Sequence, residues 1–174
     1  MKSGRPLEGE YAPYAKVDID LVEGDDAVAI LAAQRELVLA LLGGVEESAA
    51  SGLTYAPGKW TLKEVAGHLA DDERIFAYRA LCIARGDGRP LPGFDENEYM
   101  AAANFESRTL AEIIGEYRTV RWASITLFAS LTEEAWTRRG VVNGYEASVR
   151  GLAFHIAGHE LHHLRVLRER YGVR

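Results

Sequence analysis

Four of the five histidines in this 174-residue chain fall within nine residues: His155, His159, His162 and His163. The stretch around them reads Gly151-Leu-Ala-Phe-His-Ile-Ala-Gly-His-Glu-Leu-His-His-Leu-Arg-Val-Leu-Arg168 and has the apolar spacing of a helix. At about 100° per residue, His159 and His163 stand one turn apart on one face, with Leu152, Ile156 and Val166. Such a face points into a core, where two adjacent imidazoles are costly. Protonated they repel, and neutral each keeps a lone pair in need of a partner. A divalent cation answers both needs, because neutral imidazole is its natural ligand and an i, i+4 pair spans one coordination sphere. The competing reading is a pair of histidines hydrogen-bonded to neighbouring side chains. His155 and His162 lie about 40° and about 60° away and are expected at the margin of the face.

The run His159-Glu160-Leu161-His162-His163 also spells the H-E-x-x-H of zinc proteases, in which Glu160 would activate water. Its surroundings argue otherwise. Val166 and Glu169 stand where the extended motif has Gly and His, only eleven residues follow His163, and no strand is evident for a peptide to lie along. The third ligand must come from upstream, where one histidine is left: His68, in Gly67-His-Leu-Ala-Asp-Asp72. Three histidines leave a position for water or substrate, the arrangement of a catalytic rather than a structural site. Asp72, one turn beyond His68, is a candidate catalytic or ligand-orienting carboxylate, or else a solvated acid. Glu160, about 100° round from His159, reads first as an interhelix salt bridge and second as a base. Trp60 and Trp136 read as packing aromatics, with Trp60 a possible pocket wall. Arg74 and Arg79, on the His68 helix, read as ordinary salt-bridge partners, with an anionic substrate as the alternative. Cys82 reads as a buried small hydrophobe, too far from His68 to be a ligand.

The elements that must position these residues are helical. Asp25 to Leu42 has helical apolar spacing and opens on acids; Gly43-Gly44 ends or interrupts it. Thr61-Leu-Lys-Glu64 and Thr109-Leu-Ala-Glu112 are capping boxes, opening helices to about Arg85 and about Leu131. The long connection between them holds a short helix at Glu96 to Ala103, and Thr132-Glu-Glu caps another. Val141-Val-Asn-Gly-Tyr145 signals a turn, and Ser148 caps the last helix, running to Tyr171. No strand pair is expected. Residues 1–24, with Pro6 and Pro13, read as an extended arm that packs against the body or frays, and 25–174 as a single domain. The economical architecture is an all-α four-helix bundle. A balance of 20 Lys+Arg against 26 Asp+Glu disfavours nucleic acid and anionic membrane as partners. A single cysteine excludes an internal disulfide, and no signal-peptide core or membrane span is seen. A cytoplasmic protein is expected.

Gly58-Lys-Trp60-Thr-Leu-Lys-Glu-Val-Ala-Gly-His68-Leu-Ala-Asp-Asp-Glu-Arg74 resembles the second helix of the DinB-like (DinB/YfiT-like) metalloenzymes. His155-Ile-Ala-Gly-His159-Glu-Leu-His162-His163 resembles that family's closing helix. The likeness runs from about Asp25 to Tyr171 and takes in Phe94-Asp95…Tyr99 and Leu131-Thr-Glu-Glu-Ala-Trp136. It implies up-down-down-up topology and a divalent metal held by His68, His159 and His163. Zinc is expected first, with nickel, manganese or iron as alternatives. It further implies a small-molecule substrate, with hydrolysis or transfer or isomerisation involving a low-molecular-weight thiol, and a homodimer. The alternative is a metal-binding helical module without turnover.

Overall fold

A computed structural model describes residues 3–174; the first two residues of the expected arm lie outside the described residues. The helices, in chain order, are α1 (Lys16–Ile19), α2 (Ala27–Gly43), α3 (Glu47–Ala50), α4 (Leu62–Ala84), α5 (Glu96–Ala103), α6 (Leu110–Ala129), α7 (Glu133–Thr137) and α8 (Val149–Arg170). Local chemistry sets their starts. Both capping boxes form: the Thr61 and Thr109 hydroxyls accept from the Glu64 and Glu112 amides, and each glutamate accepts from the threonine amide. Asp26, Asp95, Thr132 and Ser148 cap α2, α5, α7 and α8 in the same manner.

The four long helices form the bundle, and side-chain pairs fix their directions. Lys63 reaches the Arg108 carbonyl, Arg74 pairs with Glu116, and Glu73 with Arg121, so α4 and α6 run parallel. His68 meets His159 while Phe76 stacks on His155, so α8 runs against α4. Gln34 of α2 donates to the Ala157 carbonyl, and the Leu31 carbonyl of α2 accepts from Arg121. The order is up-down-down-up. It requires the chain to travel the length of the bundle between α4 and α6, which residues 85–109 do, carrying α5 across the side of the bundle.

Two corrections follow. Strands are present: β1 (Arg139–Val142) and β2 (Tyr145–Ser148) pair antiparallel. The expected turn is their hairpin, with Asn143 and Gly144 at φ 51° and 81°, the left-handed backbone of an Asn-Gly loop. Leu91 bridges to Val142, so the hairpin also tethers the long connection. The segment from Ser3 to Gly24 packs against the body, one of the two outcomes expected of the arm, but it is not extended throughout. It contains the single turn α1, buries Ile19 and Val22, and lies on α8, where Gly151 and Gly158 face the backbone of Glu10 and Asp18. A Cβ at Gly158 would stand 2.3 Å from the Asp18 carbonyl oxygen. No helix is long and apolar enough to cross a membrane.

The core is in two apolar halves. One holds Leu31, Phe76, Ile83, Phe128, Trp136 and Phe154; the other holds Val38, Leu62, Leu69, Ile113, Leu164 and Leu167. Between them lies a polar layer to which every bundle helix contributes. Arg121 of α6 donates to both carboxylate oxygens of Glu73 on α4 at 2.8 and 2.9 Å. It also donates to Glu160 of α8 at 3.1 and 2.7 Å, while the Tyr117 hydroxyl donates to Glu160 at 2.6 Å. Gln34 of α2 completes the layer.

Candidate metal centre

His159 and Asp72 stand at the edge of that layer. The apolar residues of α8 dock it against α4, and its register carries His159 and His163 onto His68, 91 positions upstream for His159. The Nε2 atoms of His68 and His163 each lie 3.1 Å from Nε2 of His159. Metal–nitrogen bonds of about 2.0–2.1 Å separate two ligand nitrogens by about 3.3 Å at the tetrahedral angle and about 2.9 Å at a right angle. The observed spacing lies between these values. All three ligand atoms lie within 4.8 Å of one another, and this is the one such cluster among the described residues.

Burial keeps the imidazoles neutral, as ligation requires. It lowers His68 to about 4 and, with the repulsion that protons on His68, His162 and His163 together would meet, lowers His163 to about 3. His159 is held well below the ordinary histidine range by burial and by its histidine neighbours. Nδ1 of His159 faces Oδ2 of Asp72 at 3.3 Å, which directs its Nε2 lone pair towards the other two rings. Burial pushes the Asp72 carboxyl up to about 8, the Arg79 charge opposing only in part. Three neutral nitrogens crowded together form a donor set that a cation fits.

The other candidates separate cleanly. Glu160 is buried, ion-paired with Arg121 on α6 and accepting from the Tyr117 hydroxyl, an interhelix salt bridge of the kind the sequence reading put first. Its place in a buried layer leaves its polarity to be met by α6, a partner that no local motif reveals. His155 is not marginal: it is buried and stacked on Phe76 at 4.1 Å. His162 is half-exposed, with Nδ1 3.5 Å from Asp18. Trp60 packs beside His68, ring centres 4.8 Å apart, and Trp136 stacks on Phe128 in the core. Arg74 is paired with Asp71 and Glu116, as an ordinary surface residue. Arg79 has no such partner, contrary to the sequence expectation. Cys82 is only partly buried.

Two clefts flank the histidines. One, of about 410 Å³, is lined by His155, His159, Asp72, Arg79 and Phe94 among others. The other, of about 380 Å³, is lined by Trp60, Tyr55, Tyr171, His162 and His163. They share Glu96 and Asn97 at the start of α5, so the long connection borders both. Each is the size of a small-molecule site.

The family model of the DinB superfamily matches residues 30–167. The chain belongs to the DinB superfamily. Among solved structures, the DinB-superfamily chain is similar to YfiT from Bacillus subtilis, described as a probable metal-dependent hydrolase with an unusual four-helix bundle topology. The TM-score is 0.69 at 16% identity, covering 97% of this chain and 94% of YfiT. It is also similar to a mycothiol-dependent maleylpyruvate isomerase, TM-score 0.69 at 12% identity, covering 89% of this chain and 63% of the isomerase. At these identities the likeness is one of fold. No curated protein sequence matches significantly.

Proposed function

We propose that this DinB-superfamily protein is a metal-dependent enzyme in which His68, His159 and His163 hold one divalent cation at the junction of two small-molecule clefts. The carrying observation is the convergence of three neutral imidazole nitrogens from two helices, each neighbouring pair 3.1 Å apart. Such a cation supplies Lewis acidity, which makes water or a thiol a nucleophile at neutral pH. The chain's own residues do the rest. Asp72 fixes the tautomer and direction of His159. Trp60 walls the His68 side, and the arm, through Tyr14 and Asp18, walls the cleft beside His159. Two clefts meeting at one centre suit a reaction between two small molecules, a thiol and an acceptor, as well as hydrolysis of one. The reading is therefore a hydrolase or a thiol-dependent transferase or isomerase; of the two structural relatives, one is described as a probable metal-dependent hydrolase and the other as a mycothiol-dependent isomerase. Zinc suits three imidazoles best, and nickel, manganese and iron accept the same ligands.

A purely structural metal site would be closed by a fourth protein ligand. Three imidazoles form the cluster, and Asp72 is turned to the far nitrogen of His159, which favours an open site. Elemental analysis of protein purified without added metal or an affinity tag is the test. About one equivalent is expected in the wild type and a small fraction of that in His68→Ala and His159→Ala. Full occupancy in both variants refutes the assignment.

A further inference from the structure

The cleft beside His159 contains a cation that makes no contact ion pair among the described residues, the Asp72 carboxyl acting on it only from beyond that distance. Arg79 is only 4% exposed, yet among the described residues no carboxylate lies within ion-pair distance of it. Its guanidinium donates one hydrogen bond, to the Pro92 carbonyl at 2.7 Å, and rests against the rings of Phe76 and Phe94 at 4.7 and 5.6 Å. The acids on the same wall are engaged elsewhere. Asp72 is turned to His159, Asp18 to His162, and Asp95 accepts from the Asn97 and Glu98 amides; Glu96 is exposed at the rim. Beside Arg79 stands His155, buried and stacked on Phe76, with no hydrogen-bond partner at either ring nitrogen among the described residues. Two largely buried polar side chains thus line one cavity with nitrogens open to the cleft and unpaired by protein groups among the described residues, and one of them carries a full charge. A buried charge without a partner is costly, and a protein that retains one beside a small-molecule cleft has a use for it.

The type of group that answers the vacancy follows from its chemistry. A guanidinium presents a planar fork of donors that matches a carboxylate, and burial between aromatic rings keeps it from turning to solvent. Arg79 lies seven residues beyond Asp72, about 10 Å along the helix, and helical side chains lean back towards the N-terminus, here towards the histidines. The span suits a molecule a few carbons long.

We propose that Arg79, with His155 beside it, is the specificity-determining site of this cleft, binding the carboxylate of a small substrate whose reacting end lies at the three histidines. This rests on the metal-centre reading, and the experiment separates the two. The full chain, loaded with cobalt, is titrated with mercapto acids of two to five methylenes and with their amides, and binding is read from the visible absorption of cobalt. At one or more lengths the acid binds at least tenfold tighter than its amide. In Arg79→Gln that preference falls below twofold while amide affinity stays within twofold of wild type. Arg79→Lys keeps part of the preference, since the charge remains and the fork is lost. Circular dichroism establishes that Arg79→Gln is folded; if it is not, the Lys variant carries the comparison, and an undiminished preference there overturns the inference. Thiols that bind with acid and amide indistinguishable at every length overturn it while leaving the metal centre standing, as does an acid preference that survives Arg79→Gln. Failure to retain cobalt at all overturns the metal-centre reading and takes the inference with it.

Discussion

Gly158 offers a test in which two effects of opposite sign are both calculable. It lies inside α8, where exchange of Gly for Ala normally stabilises a helix by about 1 kcal/mol. Here the new methyl would stand 2.3 Å from the Asp18 carbonyl oxygen, 2.4 Å from its carbon and 2.8 Å from the Ile19 amide nitrogen. Ordinary contact begins at 3.4 Å, and all three atoms are backbone, so the arm must retreat by about 1 Å. Ala15, Ile19 and Val22, all buried, move with it. Overpacking of this kind costs about 1–3 kcal/mol, and complete release of the Ile19 side chain about 1.5–3 kcal/mol. Gly115 in α6 is the control, having nothing within 4 Å of its virtual Cβ. Gly115→Ala is expected to stabilise by up to about 1 kcal/mol, and Gly158→Ala to fall below it by about 1–3 kcal/mol. Urea unfolding in one metal state, read as a shift in midpoint at constant slope, measures both. A Gly158→Ala protein as stable as Gly115→Ala would refute the close packing of arm on helix.

Other consequences are open to measurement. Arg121→Met leaves Glu73 and Glu160 buried without a counter-charge and is expected to cost about 3–5 kcal/mol in urea unfolding; a loss under about 1 kcal/mol contradicts the layer. Asp72→Ala frees the His159 ring and is expected to weaken metal affinity by about 10–100-fold in chelator competition, with stoichiometry at saturation unchanged. Unaltered affinity would show that Asp72 does not orient the ligand. Burial by itself raises Glu10, but hydrogen bonds from Arg150 and the Leu7 amide and the charges of Arg150 and Arg139 outweigh it, leaving its carboxyl below the ordinary value of 4.5. A folded pKa below the unfolded one means that the stabilisation is fully present above pH 4.5 and is lost as pH falls through the folded value. Glu10→Gln should therefore lose stability at pH 6 and change less than wild type between pH 6 and 3; parallel pH profiles would contradict this.

What was legible in the sequence was what local chemistry specifies. Thr61–Glu64 and Thr109–Glu112 each close their own box, Glu96–Ala103 is helical as expected, and the longer helices end within two residues of their predicted limits. The His159–His163 pair was legible because one helix turn brings the rings together. His68 required a count of the remaining histidines, since its neighbours in space come from a helix 91 positions away. The hairpin was missed because strands of four residues carry little alternation; the Asn143-Gly144 turn was its one visible sign. The partners of Glu160, the unpaired state of Arg79 and the purpose of Gly158 were not legible. Each depends on which segment from elsewhere in the chain arrives opposite it.

The Glu73–Arg121–Glu160 layer has a mechanical consequence. Leucine against leucine resists sliding only weakly, because a shift by one turn, about 5.4 Å, brings another apolar side chain into the same groove. One guanidinium clasped between two carboxylates from different helices has no second seat: the same slide would drive it into hydrocarbon. The layer therefore acts as an indexing pin through the axis of the bundle, set one residue from His159 and five from His68, so that helix register and ligand register are one setting.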